Sequence, residues 1–224
     1  MADGIPTPID PVQLGTVDVE LYLVPAGKVG ILKHMLLNAG TGSNAQIRLY
    51  RRLASSGGDF DIRSSSTNSL LLLADTESWD LDMMLGPGES IRGSSDLGTG
   101  VYVHLSAIQA VTAGETEYPL VITPVNLGSG VDTQVHLVAA GFVDIIKEIL
   151  VNSGTYASAQ LGINRRAGGV DYPMRTKSTT YPIGNGSVEL HHYDLMLDEN
   201  ESIRMNASTT GVDIHISAIR VTKS

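Results

Sequence analysis

The sequence has no cysteine, one tryptophan and two phenylalanines in 224 residues. Without cysteine there are no disulfides, no thiolate metal ligands and no thiol nucleophile. Aromatic residues make up 5% of the chain, so a core must be built from Val, Ile, Leu and Ala. Charged residues are also scarce, at 17% against a usual ~25%. No apolar run reaches the ~18 residues of a membrane-spanning helix. The first residues, Met1-Ala2-Asp3-Gly4-Ile5-Pro6, lack the basic and apolar regions of a secretory signal. Positive charge is in short supply. Fifteen Lys and Arg face 24 Asp and Glu, for a net charge of −9, which argues against a nucleic-acid partner. There is no phosphate-binding Gly-rich loop before a helix, no H-E-x-x-H, no G-x-S-x-G and no EF-hand loop. No cofactor, no metal and no catalytic residue is expected.

What is present is a repeat. Residues 23–52 and 137–166 align without a gap and are identical at 15 of 30 positions. Met84-Leu85 and Glu89-Ser90-Ile91-Arg92 match Met196-Leu197 and Glu201-Ser202-Ile203-Arg204. His104-Leu105-Ser106-Ala107-Ile108 matches His215-Ile216-Ser217-Ala218-Ile219, and Pro11-Val12-Gln13-Leu14-Gly15 matches Pro124-Val125-Asn126-Leu127-Gly128. The blocks keep their order, so one unit occurs twice in tandem. Two copies are too few for a solenoid, so each copy needs a core of its own. The expected organisation is an extended arm over 1–10, a first unit over 11–111, a polar linker over 112–123 and a second unit over 124–224.

Each copy reads as β. Val17 to Leu23, Ala45 to Tyr50, Trp79 to Met83, Val101 to Ile108, Val188 to Leu197 and Val212 to Ile219 alternate apolar and polar residues, the period of a half-buried strand. Gly-rich turns separate them, at Asn38-Ala39-Gly40, Gly40-Thr41-Gly42, Ser56-Gly57-Gly58, Gly86-Pro87-Gly88, Gly98-Thr99-Gly100 and Asn185-Gly186. Val143 to Leu150 also fits a helical face, but its counterpart carries Gly30, which costs a helix ~1 kcal/mol. The fold class is therefore all-β: two tandem, homologous antiparallel β-sandwich domains of jelly-roll type.

Among polar residues, Arg51-Arg52 and Arg165-Arg166 recur at a strand end and are candidates for gripping a carboxylate on a partner protein. The arm, with Ile5, Pro6 and Pro8, is a candidate for strand addition. His104 and His215 occupy equivalent places and are expected on polar strand faces. His191 and His192 point to opposite faces. The acidic group Asp194, Asp198, Glu199 and Glu201 reads as a solvated hairpin, because the first copy has Gly86-Pro87-Gly88 in its place. Trp79 alternates with Leu81 and Met83 and is expected in the core.

The string Leu23-Val24-Pro25-Ala26-Gly27-Lys28-Val29-Gly30-Ile31-Leu32-Lys33, the turn Leu85-Gly86-Pro87-Gly88-Glu89-Ser90-Ile91 and the closing strand Val101 to Ile108 resemble a unit of tailed-bacteriophage virion structural proteins. Such units belong to capsid decoration (cement), head-fibre, collar and tail proteins. The second copy departs, with Ala139 for Pro25, Phe142 for Lys28 and Asp198-Glu199-Asn200 for Gly-Pro-Gly. The resemblance implies a non-enzymatic virion protein, most concretely a capsid decoration protein, assembled in the host cytoplasm. Its partners would be other virion proteins, such as a major capsid protein or tail and collar proteins. It would itself form a homo-oligomer, and a trimer would suit a shell. A tail, collar or baseplate part is the alternative. A carbohydrate-binding module is the alternative from a different class.

Overall fold

The computed structural model describes residues 5–40, 44–66, 70–72, 75–98, 100–110, 117–154, 158–178 and 182–223. The turns expected at Thr41, Gly42 and Thr99, and residues 112–116 of the linker, lie outside this set.

Every regular element among the described residues is a β-strand. The first half holds β1 (Ile5–Pro8), β2 (Val12–Leu14), β3 (Val19–Leu23), β4 (Val29–Ala39), β5 (Ala45–Arg52), β6 (Asp59–Arg63), β7 (Leu70–Leu71), β8 (Thr76–Leu85), β9 (Ser90–Ser95) and β10 (Val101–Ala110). The second holds β11 (Glu117–Val121), β12 (Val125–Leu127), β13 (Thr133–Leu137), β14 (Phe142–Asn152), β15 (Leu161–Ala167), β16 (Val170–Arg175), β17 (Val188–Leu197), β18 (Ser202–Ala207) and β19 (Val212–Thr222). Val143 to Leu150, where helix and strand competed, lies within strand β14.

The sheets follow jelly-roll order twice. In the first half, β1-β10-β4-β8 faces β3-β9-β5-β6, with β2 on β10 and β7 on β5. In the second, β11-β19-β14-β17 faces β13-β18-β15-β16, with β12 on β19. All strand pairs are antiparallel. Even the irregularities recur. The β4–β8 ladder shifts register around Lys33 and the β14–β17 ladder around Lys147. Each bulge aims its lysine at an aspartate of the neighbouring strand, Asp82 or Asp194. The β3–β9 and β13–β18 ladders slip at Leu21 and Val135 in the same way.

Two expectations change. Residues 5–8 are not a free arm. They form β1, hydrogen-bonded along β10 from Ile5 opposite Gln109 to Pro8 opposite Ser106. Residues 117–121, assigned to the linker, form β11 on β19. Their prolines stand on outermost strands of the sheets, where a missing N–H costs no ladder bond.

Each half has an apolar cluster, but the first is not closed by its own residues. Leu32, Met35, Leu37, Ile47, Leu49, Leu85 and Val101 are packed together with Leu150 of the second half, and Val188 and Leu190 lean on the same cluster. The second cluster, around Ile146, Ile149, Ile163, Ile203 and Ile214, comes entirely from its own half. Trp79 packs at the margin of the first core, beside buried Leu81 and Met83.

Leu37 and Ile163 are fully buried, one in each cluster. Replacing either with Ala should cost about 2–5 kcal/mol in urea unfolding, as for other buried aliphatic truncations. Because Leu150, Val188 and Leu190 tie the halves together, both variants should shift one common transition, and two separated transitions would contradict that coupling.

Candidate protein-contact surfaces

The sequence-level candidates divide by environment. Arg51 lies on β5 and is completely buried. Its Nε and Nη2 donate to Glu89 Oε2 at 3.0 and 2.6 Å, and Gly86 N donates to the same oxygen at 2.6 Å. Arg165 repeats the arrangement: Nη2 donates to Glu201 Oε2 at 2.6 Å, which also accepts from Asp198 N at 2.9 Å. These arginines hold the turn before β9 or β18 against β5 or β15. Arg51 is thereby corrected to an internal residue, while Arg165 engages Glu201 through Nη2 and keeps its side chain 33% exposed. Arg52 forks onto Asp59 at 2.7 and 3.0 Å and lies over the Tyr50 ring. Arg166 is loosely paired with Asp171 at 3.8 Å and stays partly exposed. Ile5, Pro6 and Pro8 of β1 are all exposed.

Two further ion pairs are duplicated. Arg63 joins Glu77 and donates to Ile47 O, as Arg175 joins Glu189 and donates to Leu161 O. Arg92 joins Asp18 as Arg204 joins Asp132. Of the acidic group in the second copy, Asp198 and Glu199 face Lys223 and Asp194 faces Lys147. Among the described residues no cluster of His, Asp or Glu is arranged to hold a metal ion.

The halves meet on a face that strand alternation alone does not mark. The outer face of β14 and β19 is covered by β6 and β8 of the first half. The homologous strands therefore differ in burial. Strand β10 alternates buried and exposed through Ala107, whereas β19 is buried continuously from Val212 to Ile219. His104 is exposed, as expected of a polar-face residue. His215 is only 2% exposed, which corrects that expectation.

Beside the apolar packing of Leu150, Val188 and Leu190, polar contacts among the described residues cross between the halves at five points. Asp82 N donates to Glu148 Oε2 at 3.0 Å, and Asp61 N to Asp213 Oδ2 at 2.8 Å. Ser64 Oγ donates to Asn152 Oδ1 at 2.8 Å, and Arg51 Nη1 to Ile122 O at 3.3 Å. His215 Nε2 lies 3.1 Å from Asp61 O, and its Nδ1 has no partner. A carbonyl only accepts, so His215 Nε2 carries a proton and donates. Burial, with the nearby Arg51 charge, pushes its pKa down to about 3. Burial pushes Glu148 up to about 7 and Asp213 up to about 6. The backbone donors of Asp82 and Asp61 oppose these shifts, and the carboxylates of the same two residues add to them. His192 Nδ1 stands 3.7 Å from Glu148 at the rim.

Exposed apolar side chains are spread over both halves, among them Val17, Leu23, Leu72, Val131 and Leu137, and some stand on β16, β17 and β10. Val170 and Tyr172 on β16 are each 54% exposed, Met196 on β17 60% and Tyr102 on β10 42%. A shallow hollow of about 360 Å³ beside β16 is lined by Arg165, Ala167 and Tyr172.

No family model matches the chain, and no curated protein matches it. Among solved structures it is similar to the major capsid protein P2 from Bacteriophage PM2, at 10% identity, with 96% of this chain and 98% of that one covered and a TM-score of 0.37. It is similar to PNGase F, a glycosylasparaginase from Flavobacterium meningosepticum, at 9% identity, 99% and 96% coverage and a TM-score of 0.40. It is also similar to the STIV MCP, at 11% identity, 97% and 96% coverage and a TM-score of 0.34.

Two outcomes follow from the buried groups. A carboxyl whose folded pKa lies above its ordinary value stabilises the fold below the ordinary value and loses that contribution as pH rises through the folded one. Through Glu148 and Asp213 the fold should therefore lose stability, and its melting midpoint fall, between about pH 4 and about pH 8, with roughly 3 kcal/mol of the loss from Glu148. Glu148→Gln keeps an acceptor for Asp82 N and should flatten that slope, while an unchanged slope would show that the carboxyl is not responsible. Arg51→Ala should cost about 3–5 kcal/mol by stranding buried Glu89. Arg165→Ala should cost clearly less, because its side chain is 33% exposed.

Proposed function

We propose that this protein is a non-enzymatic structural component of a virion, most concretely a decoration (cement) protein on a capsid exterior. The observation that carries the reading is the mechanical one. Two jelly rolls are joined face to sheet by a buried, hydrogen-bonded contact and a partly shared core, while aromatic and apolar side chains remain exposed on the sheets at either end. A block of this kind presents two fixed surfaces and suits cross-linking of neighbouring subunits, because two joined modules bind with avidity. The repeated turn-and-strand punctuation that resembles tailed-phage virion units supports the same reading. The partners are other virion proteins, a major capsid protein or tail and collar proteins, together with further copies of this chain. Assembly takes place in the host cytoplasm and the mature location is the particle. A tail, collar or baseplate position uses the same surfaces and differs in number of copies.

Labelled antibody on intact particles, with quantitative gel densitometry, tests the reading. A decoration protein is expected over the whole shell in copy numbers comparable with the capsid protein. A few copies at one vertex would move it to the tail or collar, and absence from purified particles would overturn the virion role.

A further inference from the structure

The contact between the halves uses two different surfaces, and duplication has given the chain each of them twice. The first half supplies β6 and β8, and the second supplies β11, β14 and β19. The strands equivalent to β6 and β8 are β16 and β17, and those equivalent to β11, β14 and β19 are β1, β4 and β10. Register fixes the match residue by residue. Asp61 opposite Tyr50 corresponds to Pro173 opposite Asn164, and His215 opposite Leu150 corresponds to His104 opposite Leu36. Asp213 opposite Asn152 corresponds to Tyr102 opposite Asn38.

These unused equivalents expose apolar side chains at positions that are more buried or polar in the internal contact. Met84 on β8 is 3% exposed, whereas Met196 in the same place on β17 is 60% exposed. Tyr102, in the place of Asp213, is 42% exposed, and Tyr172 stands 54% exposed in the place of Phe60. The pairs also change together. In the internal contact the Asp61 N–H meets the Asp213 carboxylate. In the unused pair the donor is gone, because Pro173 has no N–H, and so is the carboxylate, replaced by the Tyr102 ring. A proline ring on an aromatic face satisfies both without a stranded polar group. His34 stands in the place of Glu148 and retains a ring nitrogen able to accept from Asp194 N, while His104 retains a donor for Pro173 O.

We propose that the β16–β17 surface of one copy docks on the β1–β4–β10 face of a second copy, repeating head to tail the contact that already joins the two halves within each chain. Tyr172, Pro173 and Met196 lie on one side, and His34, Tyr102 and His104 on the other. The contact is heterologous, so it builds a ring if its rotation closes and a filament if it does not. This deepens the building-block reading by naming the surface through which copies join, and it can fail while that reading stands.

The absence of native cysteine makes the test direct. His104→Cys and Pro173→Cys, purified separately and joined by a short bifunctional thiol reagent, should give cross-linked dimer when mixed and little when either is treated alone. Tyr102→Glu and Met196→Glu, both at exposed positions, should keep the melting midpoint and lose self-association in sedimentation velocity. Dimers of His104→Cys with itself would mean a twofold contact and overturn the proposal, as would a wild-type chain that sediments as a monomer. Finding the protein on particles while it behaves in either of those ways would discard this contact and leave the virion role intact.

Discussion

The outer face of β14 and β19 is covered by the first half, and most of the rest follows from that constraint. A strand face removed from water cannot keep unpaired polar groups, whose desolvation costs about 1–3 kcal/mol each. Glu148, Asp213, His215 and Asn152 all lie on this face, so the first half must present partners at matching positions. It does so largely with backbone, through Asp82 N, Asp61 N and Asp61 O. Backbone donors on β6 and β8 are placed by their ladders, so the angle between the halves is set by strand register and not by flexible side chains. The covalent link has less to do, because the hydrogen bonds already specify one orientation.

Within each half, ion pairs of varied exposure pin the connections between sheets and turns. Such pairs add little net stability compared with apolar packing, since desolvation offsets attraction. Their recurrence points to geometry. Lys33–Asp82 and Lys147–Asp194 fix a bulge, and Arg51–Glu89 and Arg165–Glu201 fix the turn that starts the next strand. One position shows how the copies diverged without losing fit. A Cβ at Gly30 would come within 2.8 Å of Val24 and 2.9 Å of Tyr22 Oη. In the second half Asp144 takes that place and His136 replaces the tyrosine. Burial would raise Asp144, but hydrogen bonds from Arg220 and His136 outweigh it and hold the carboxyl below its usual range. A large ring over glycine has become a smaller ring bound to a carboxylate.

Much of the fold was legible because alternation and duplication are local properties. Val101 to Ile108 and Val212 to Ile219 have almost the same pattern, and both are the closing strand of a jelly roll. What could not be read is which of them has its polar face covered. Period-2 alternation reports that one face is buried and is silent about the other, since a satisfied Asp or His looks like a solvated one. The prolines of residues 1–10 and 112–123 suggested an arm and a linker. An edge strand accepts proline as readily, and β1 and β11 are edge strands. Arg51 and Arg165 read as surface cations because their partners, Glu89 and Glu201, are distant in sequence.

One signal for the covered face was available in the differences between the copies. Where the repeats agree, as in Asn38 and Asn152 or His104 and His215, the common fold accounts for both. Where they differ on a single face, the environments have parted. Tyr102 against Asp213, His34 against Glu148 and Ser78 against Leu190 all fall on the outer face of the same sheet. Two of the three put a carboxylate in the second half, where an exposed strand would gain nothing from it but a buried one can anchor a backbone donor. Leucine at 190 is costly on a wet face and useful against a neighbour's core. A duplicated chain thus carries its own comparison, and the face on which its copies disagree in chemistry while agreeing in period is the face on which they meet different neighbours.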